Sequence, residues 1–221
     1  QVDATFAPAT SDHIARAKLK GSANGVGLSV AINPNNQHIL VTGQYFGLLA
    51  VASFTAEGNR DGDFGDYPNP MFPFGPKTGL ALIHDFCGGL DEGYVRAAGI
   101  SILVQPDGKV AVAGVVAKSA SYYPSNDTCP LVWNADQWQW MPIVLRLNED
   151  GSLDTGFKLN KFATGKFTLG YITSDRASRG TLISTVDMVR QWDGKLVIGS
   201  SNESTIPATI RFTRLNTDGS L

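Results

Sequence analysis

Three of the four tryptophans and two of the six tyrosines of this 221-residue chain fall within one stretch, Ser121 to Trp140. Within it, Tyr122, Tyr123, Trp133, Asn134, Asp136, Trp138 and Trp140 combine flat rings with amide and carboxylate groups. Rings that stack on the apolar face of a pyranose, beside groups that bond its hydroxyls, make a carbohydrate platform. The same residue types are enriched at protein-interface hot spots. A third reading is local packing of the loop onto its own sheet, and the residues alone leave all three open. Asp61, Asp63 and Asp66 alternate in Asp61-Gly62-Asp63-Phe64-Gly65-Asp66. Hard oxygen ligands between glycine turns suit Ca²⁺, although the distal Glu of an EF-hand loop is missing, so calcium is the one cofactor to be considered.

Enzyme signatures are absent. The three histidines, His13, His38 and His84, show no zinc-ligand spacing, and there is no Gly-x-Ser-x-Gly elbow or phosphate-binding loop. No catalytic residue is assigned. A glycosidase needs only two suitably spaced carboxylates, which Asp12, Asp85, Asp91, Glu92, Asp175 and Asp187 leave open.

The elements that must position these groups are written as repeats. Gln105-Pro106-Asp107-Gly108-Lys109-Val110-Ala111-Val112-Ala113-Gly114 leads to Arg146-Leu147-Asn148-Glu149-Asp150-Gly151-Ser152-Leu153-Asp154-Thr155-Gly156-Phe157. Another copy runs Gln191-Trp192-Asp193-Gly194-Lys195-Leu196, then Arg214-Leu215-Asn216-Thr217-Asp218-Gly219-Ser220-Leu221. A looser copy spans 32–64, placing Asp61 and Phe64 on Asp154 and Phe157, and the opening Asp3-Ala4-Thr5-Phe6 repeats the closing phrase. Repetition at such intervals signals propellers or solenoids. Asp-Gly pairs mark tight hairpins, and apolar alternation through Ile100, Ile102, Val104, Val110 and Val112 marks strands with one buried face. No long 3.6-residue period appears. The expectation is an all-β, antiparallel propeller-like architecture of about three blades per chain. It forms one domain over 1–221, with units near 1–64, 65–157 and 158–221 and insertions at 66–93 and 119–142. In Asp-x-x-Phe, the carboxylate is expected to hold nearby backbone N–H groups and the Phe to fill the gap between sheets.

Gln-Pro-Asp-Gly-Lys with its apolar strand, followed by Arg-Leu-Asn-x-Asp-Gly-Ser-Leu-Asp-x-x-Phe, resembles the delta-60 repeat of bacterial secreted and surface proteins. The match is close over 100–114 and 144–157, good over 187–221 and loose over 27–64. It departs at Trp192, where the family has Pro, and at the extra residue in Asn35-Asn36-Gln37. The resemblance implies one blade per repeat in an exported protein, and transfers no catalytic motif.

Charged residues make up 17% of the chain and the net charge is −2, so there is no basic footprint for nucleic acid. No apolar run reaches the ~18–20 residues of a membrane-spanning helix. Gln1 falls inside a repeat phrase, which reads as a mature or trimmed end, and a fragment of a longer repeat protein is the competing reading. Cys87 and Cys129 lie in the two insertions of the middle unit. A disulfide between them would staple these loops and contribute at most ~4 kcal/mol; two free thiols in a cytosolic protein are the alternative. Asn126 and Asn202 begin glycosylation sequons. The expected function is a non-catalytic, secreted or surface interaction or structural protein that associates with itself or another surface protein. A lectin-like module using the Trp-rich loop is the second reading, and a propeller glycoside hydrolase the third.

Overall fold

The computed structural model describes residues 5–7, 15, 25–45, 48–65, 79–83, 95–118, 139–157, 166–168, 186–202 and 209–221. Among them every regular element is a strand. They are β1 (Gly25–Ile32), β2 (Ile39–Tyr45), β3 (Leu48–Phe54), β4 (Leu80–Ile83), β5 (Val95–Val104), β6 (Val110–Lys118), β7 (Gln139–Leu147), β8 (Lys166–Thr168), β9 (Val186–Arg190), β10 (Leu196–Asn202) and β11 (Thr209–Leu215). They form three antiparallel sheets ordered β1-β2-β3-β4, β5-β6-β7-β8 and β9-β10-β11. Each sheet is built around one copy of the repeat phrase, with β4 and β8 added to the first and second sheets from the segments that follow. Strands β4 and β8 leave little mark in the sequence: Leu80-Ala81-Leu82-Ile83 lies inside an insertion, and the three residues of β8 are too few to show a period.

The turns explain the spelling of the repeat. Gln105 N donates to Lys109 O at 2.8 Å and Gly108 N to Gln105 O at 2.9 Å, with Gly108 at φ +80°. This is a three-residue hairpin loop in which only the glycine needs positive φ, so Asp107 is present for its side chain, which accepts from Lys109 N. Gln191–Lys195, Asn148–Ser152, Asn216–Ser220 and Thr55–Asn59 repeat the same pair of bonds. In the first repeat the extra residue converts the turn: Gln37 N donates to Asn33 O and Gln37 itself carries φ +62°.

The sheets stack in chain order. β5 packs against β1, β2 and β3, and β9 packs against β5 and β6. Each sheet therefore has a front, toward the preceding sheet, and a back, toward the following one. The front of the second sheet, with Ile102, Val110, Val112, Ile143, Leu145 and Leu147, shares a core with Leu40, Leu49, Val51, Ala81 and Ile83 on the back of the first. The back of the second sheet, with Ala98, Ala111, Ala113 and Val144, shares a core with Val186, Met188, Leu196, Ile198 and Leu215 on the front of the third. The expectation of one buried face is thus corrected for β6, where Val110, Ala111, Val112 and Ala113 are all buried. Large side chains face forward and small ones back, so both faces can approach neighbouring sheets.

Close approach also explains Gly99. A Cβ there would lie 1.9 Å from Thr42 Oγ1 on the facing sheet and 3.0 Å from Val112 Cγ1. Thr42 cannot swing away freely, because its hydroxyl donates to Ala50 O at 3.0 Å. Gly99→Ala is expected to destabilise by about 1–3 kcal/mol, the usual cost of overpacking. Gly27 occupies the same repeat position on the first sheet, pairing with Gly43 as Gly99 pairs with Gly114. Among the described residues its Cβ would meet one atom within 4 Å, Val41 Cγ1 at 3.0 Å. Gly27→Ala is therefore expected to cost less, and urea titration of the two variants checks the order.

Candidate interaction surface

The closing phrase of each repeat builds a joint between sheets. After β7, Leu147 bridges Leu153, Asp154 N donates to Arg146 O, and Phe157 N donates to Asp154 O. After β3 the pattern recurs with Phe54 and Arg60, Asp61 and Ser53, and Phe64 and Asp61. The Phe then reaches the next repeat. Phe64 lies against Gly151, and the N–H of Gly65 donates to Asp150 O at 2.9 Å. Phe6 lies in the same way against Gly58, with Ala7 N donating to Glu57 O. Phe64 and Phe157 are 1% and 0% exposed within the two inter-sheet cores, so each is a wedge between blades, as the sequence predicts.

The Asp of the phrase does more than hold a turn. Asp154 Oδ1 accepts from Gly156 N at 3.0 Å, and Oδ2 accepts from Arg146 Nε at 2.7 Å and Lys109 Nζ at 2.9 Å. Arg146 Nη1 also donates to Gln105 Oε1 and, in the third repeat, to Thr217 O at 2.6 Å. Its guanidinium sits 4.6 Å above the Phe157 ring centre. Burial pushes the Asp154 carboxyl up, but the bonds from Lys109 and Arg146, the Arg146 charge and Gly156 N outweigh it and hold the group below the ordinary carboxylate value. In the first repeat, Ser53 and His38 replace Arg and Lys: Asp61 Oδ2 takes Ser53 Oγ at 2.8 Å and faces His38 Nδ1 at 2.9 Å. There too burial raises the carboxyl, while Ser53, Asp63 N and His38 bring it below the usual value. The third repeat carries the matching Gln191, Lys195 and Arg214. Lys195 pairs with Asp193 of its own turn at 3.5 Å, and the buried Gln191 Oε1 has no hydrogen-bond partner among the described residues.

The two ends of the stack break the burial pattern of the repeat. Register aligns Val30 with Ile102 and Met188, since they pair with Val41, Val112 and Ile198. Ile102 and Met188 are 7% and 5% exposed, but Val30, on the front of the first sheet, is 63% exposed. Phe212 aligns with Val144 and Val51, both 0% exposed, yet on the back of the third sheet it is 75% exposed. Ile32, on the same face as Val30, and Val189, on the same face as Phe212, are exposed too. The front of the first sheet also carries a depression of about 420 Å³ lined by Val26, Val41, Tyr45, Ala52, Phe54 and Leu80, among others. Exposure on the front of the first sheet is confined to β1, because Tyr45, Ala50, Ala52, Phe54 and Leu80 on that face form a buried cluster with Ala15 packed against it, whereas the back of the third sheet presents Phe212 and Val189.

Of the residues singled out for chemistry, Tyr122, Tyr123, Trp133, Asn134, Asp136 and Trp138 lie outside the described residues, as do Cys87, Cys129 and Asn126. Trp140 and Asn202 fall in β7 and β10, their side chains outside the description. Asp61 is engaged as above, Asp63 is exposed and donates its N–H to Asp61 Oδ1, and Asp66 is outside the described residues. Reading residue types for chemistry overlooked Val30, Ile32, Val189 and Phe212. For Val30 and Phe212 the signal is positional: apolar residues at repeat positions that the other copies bury.

A family model described as a domain of unknown function (DUF5122) beta-propeller matches residues 135–157 and 191–221. These segments contain the strand, closing turn and wedge of the second repeat, and most of the third. The match supports a propeller-like repeat family for the blades seen here. No curated protein and no solved structure matches the chain.

Proposed function

We propose that this chain is a non-catalytic interaction or structural protein, exported to the cell surface or medium, whose blades associate with copies of the same chain. The observation that carries this reading is the exposure of Val30 and Phe212, at repeat positions that are buried in the other copies. Exposed sheet surface is a liability that folded proteins cover, and a surface made from repeated parts is covered most directly by another of those parts. Export is supported by the resemblance to delta-60 repeats, by the two sequons, and by placement of Cys87 and Cys129 in insertions where a disulfide would join two loops.

A lectin-like role rests on a different observation, the concentration of Trp and Tyr between β6 and β7, and a glycan array tests it separately. Calcium at Asp61, Asp63 and Asp66 stays a subsidiary proposal, since Asp61 already serves the joint of its own repeat. The main reading is tested by sedimentation velocity of the 221-residue chain over a micromolar series. Association beyond the 23.6 kDa of one chain is expected, and a well-folded monomer throughout would overturn it.

A further inference from the structure

We propose that the third repeat carries a recognition site for an acidic peptide of the form Asp-x-x-Phe, in which Lys195, Arg214 and Gln191 take the carboxylate and the exposed back of the third sheet takes the ring. The inference does not depend on self-association. It assigns a ligand to this face from the way the second repeat holds the same two groups. There Asp154 Oδ2 accepts from Arg146 Nε at 2.7 Å and from Lys109 Nζ at 2.9 Å, and Gln105 Oε1 steadies the guanidinium by accepting from Arg146 Nη1 at 3.3 Å. The Phe157 ring, three residues on, lies with its centre 4.6 Å from that guanidinium, in one core with Ala111 and Val144 of the same sheet.

The third repeat reproduces each of these positions. Val197 pairs with Arg214 as Ala111 pairs with Arg146, and Gly199 pairs with Phe212 as Ala113 pairs with Val144. Gln191 and Lys195 close the hairpin between β9 and β10 with the bond that Gln105 and Lys109 make in theirs. The difference lies in what these groups hold. Arg146 is 8% exposed and bonded through both Nε and Nη1, whereas Arg214 is exposed and its side chain has no partner among the described residues. Gln191 Oε1 is buried and also lacks a partner among them. Lys195 reaches Asp193 of its own turn at 3.5 Å, a contact of the weak surface kind. A buried acceptor left unsatisfied costs free energy. A carboxylate removes that cost by drawing Arg214 inward, where its guanidinium can bond both the anion and Gln191 Oε1, and charge-assisted bonds of this sort are the strong ones. The ligand ring then lies on Val197 and Phe212, with Arg214 over its other side. A simple anion would use only the cations, and a purely apolar partner only the sheet. The three-residue spacing of Asp-x-x-Phe uses both.

The probe is the peptide Ser-Leu-Asp-Thr-Gly-Phe, acetylated and amidated so that the Asp carboxylate is its one charge. It is titrated into the isotope-labelled 221-residue chain at a protein concentration below association, and followed by heteronuclear NMR. Peptide is carried to about 10 mM, enough to saturate even a millimolar site. Saturable shifts of the Gln191 side-chain amide and the Arg214 Nε–H are expected. Replacing Asp by Asn or Phe by Ala in the peptide, or Arg214→Gln or Lys195→Gln in the chain, should each weaken binding about 10-fold, the worth of a hydrogen bond to a charged group or of a buried ring. The melting temperature of each chain variant verifies that its fold is intact. Lys109→Gln, which alters the matching position of the second repeat, should leave the peptide affinity unchanged. Absence of saturable shifts overturns the site. Equal affinity of the Asn peptide overturns the carboxylate role and leaves an apolar contact. Equal affinity of the Ala peptide, or of inorganic phosphate, overturns peptide recognition and leaves a general anion site. None of these outcomes alters the sedimentation result, which decides self-association separately.

Discussion

Asp154→Ala is expected to lower the free energy of unfolding by about 3–5 kcal/mol, the range for breaking a buried ion pair by removing one partner. Asp154 and Arg146 are 6% and 8% exposed, so the substitution leaves a guanidinium in the seam between the second and third sheets with Gln105 Oε1 and Thr217 O as its remaining acceptors. Asp61→Ala should cost less, because the side chain that replaces Arg there is the neutral Ser53. Urea unfolding of both variants reads the difference. The same carboxyls set the acid limit. Because both are held below the ordinary carboxylate value in the folded chain, their stabilisation is complete above the unfolded-state pKa, about 4. It is lost as pH falls through the lower folded values. Asp154→Ala should therefore flatten the acid dependence of stability below about pH 4, alongside the overall loss.

Phe157→Ala is the second large effect, also about 3–5 kcal/mol. The ring is 0% exposed and packs in one core with residues of the second and third sheets, including Val144, Leu196 and Leu215. Truncating it leaves a cavity at the joint, removes the surface under the Arg146 guanidinium, and loosens the third blade from the second. Phe64→Ala should behave alike at the other seam, where the ring is 1% exposed. Phe212→Ala, at 75% exposure, should leave the unfolding free energy of the monomer nearly unchanged. Thermal melts of the three variants, compared at a concentration below association, distinguish wedges from end faces.

The blade plan was legible in the sequence because its marks are local. A glycine at positive φ, as at Gly108 and Gly194, and apolar residues at period two are fixed by neighbours in the chain. The wedge role of Phe64 and Phe157 was legible through repetition. The Asp154 network was not, since Lys109, Arg146 and Asp154 lie 37 and 8 residues apart in sequence and meet only when strands pair and the hairpin closes. The full burial of β6 escaped for a related reason: Ala111 and Ala113 are weak apolar signals, but small side chains are what a second sheet requires for close approach. The end faces escaped because Val30 and Phe212 look like ordinary strand residues until their repeat partners are seen buried.

Small-angle X-ray scattering of the 221-residue chain at several concentrations tests most directly whether the open ends of the stack are joined. The account predicts a forward-scattering mass that exceeds the 23.6 kDa of one chain and rises with concentration. A mass of one chain, with a distribution fitted by three stacked sheets whose end faces remain in solvent at every concentration, would contradict it.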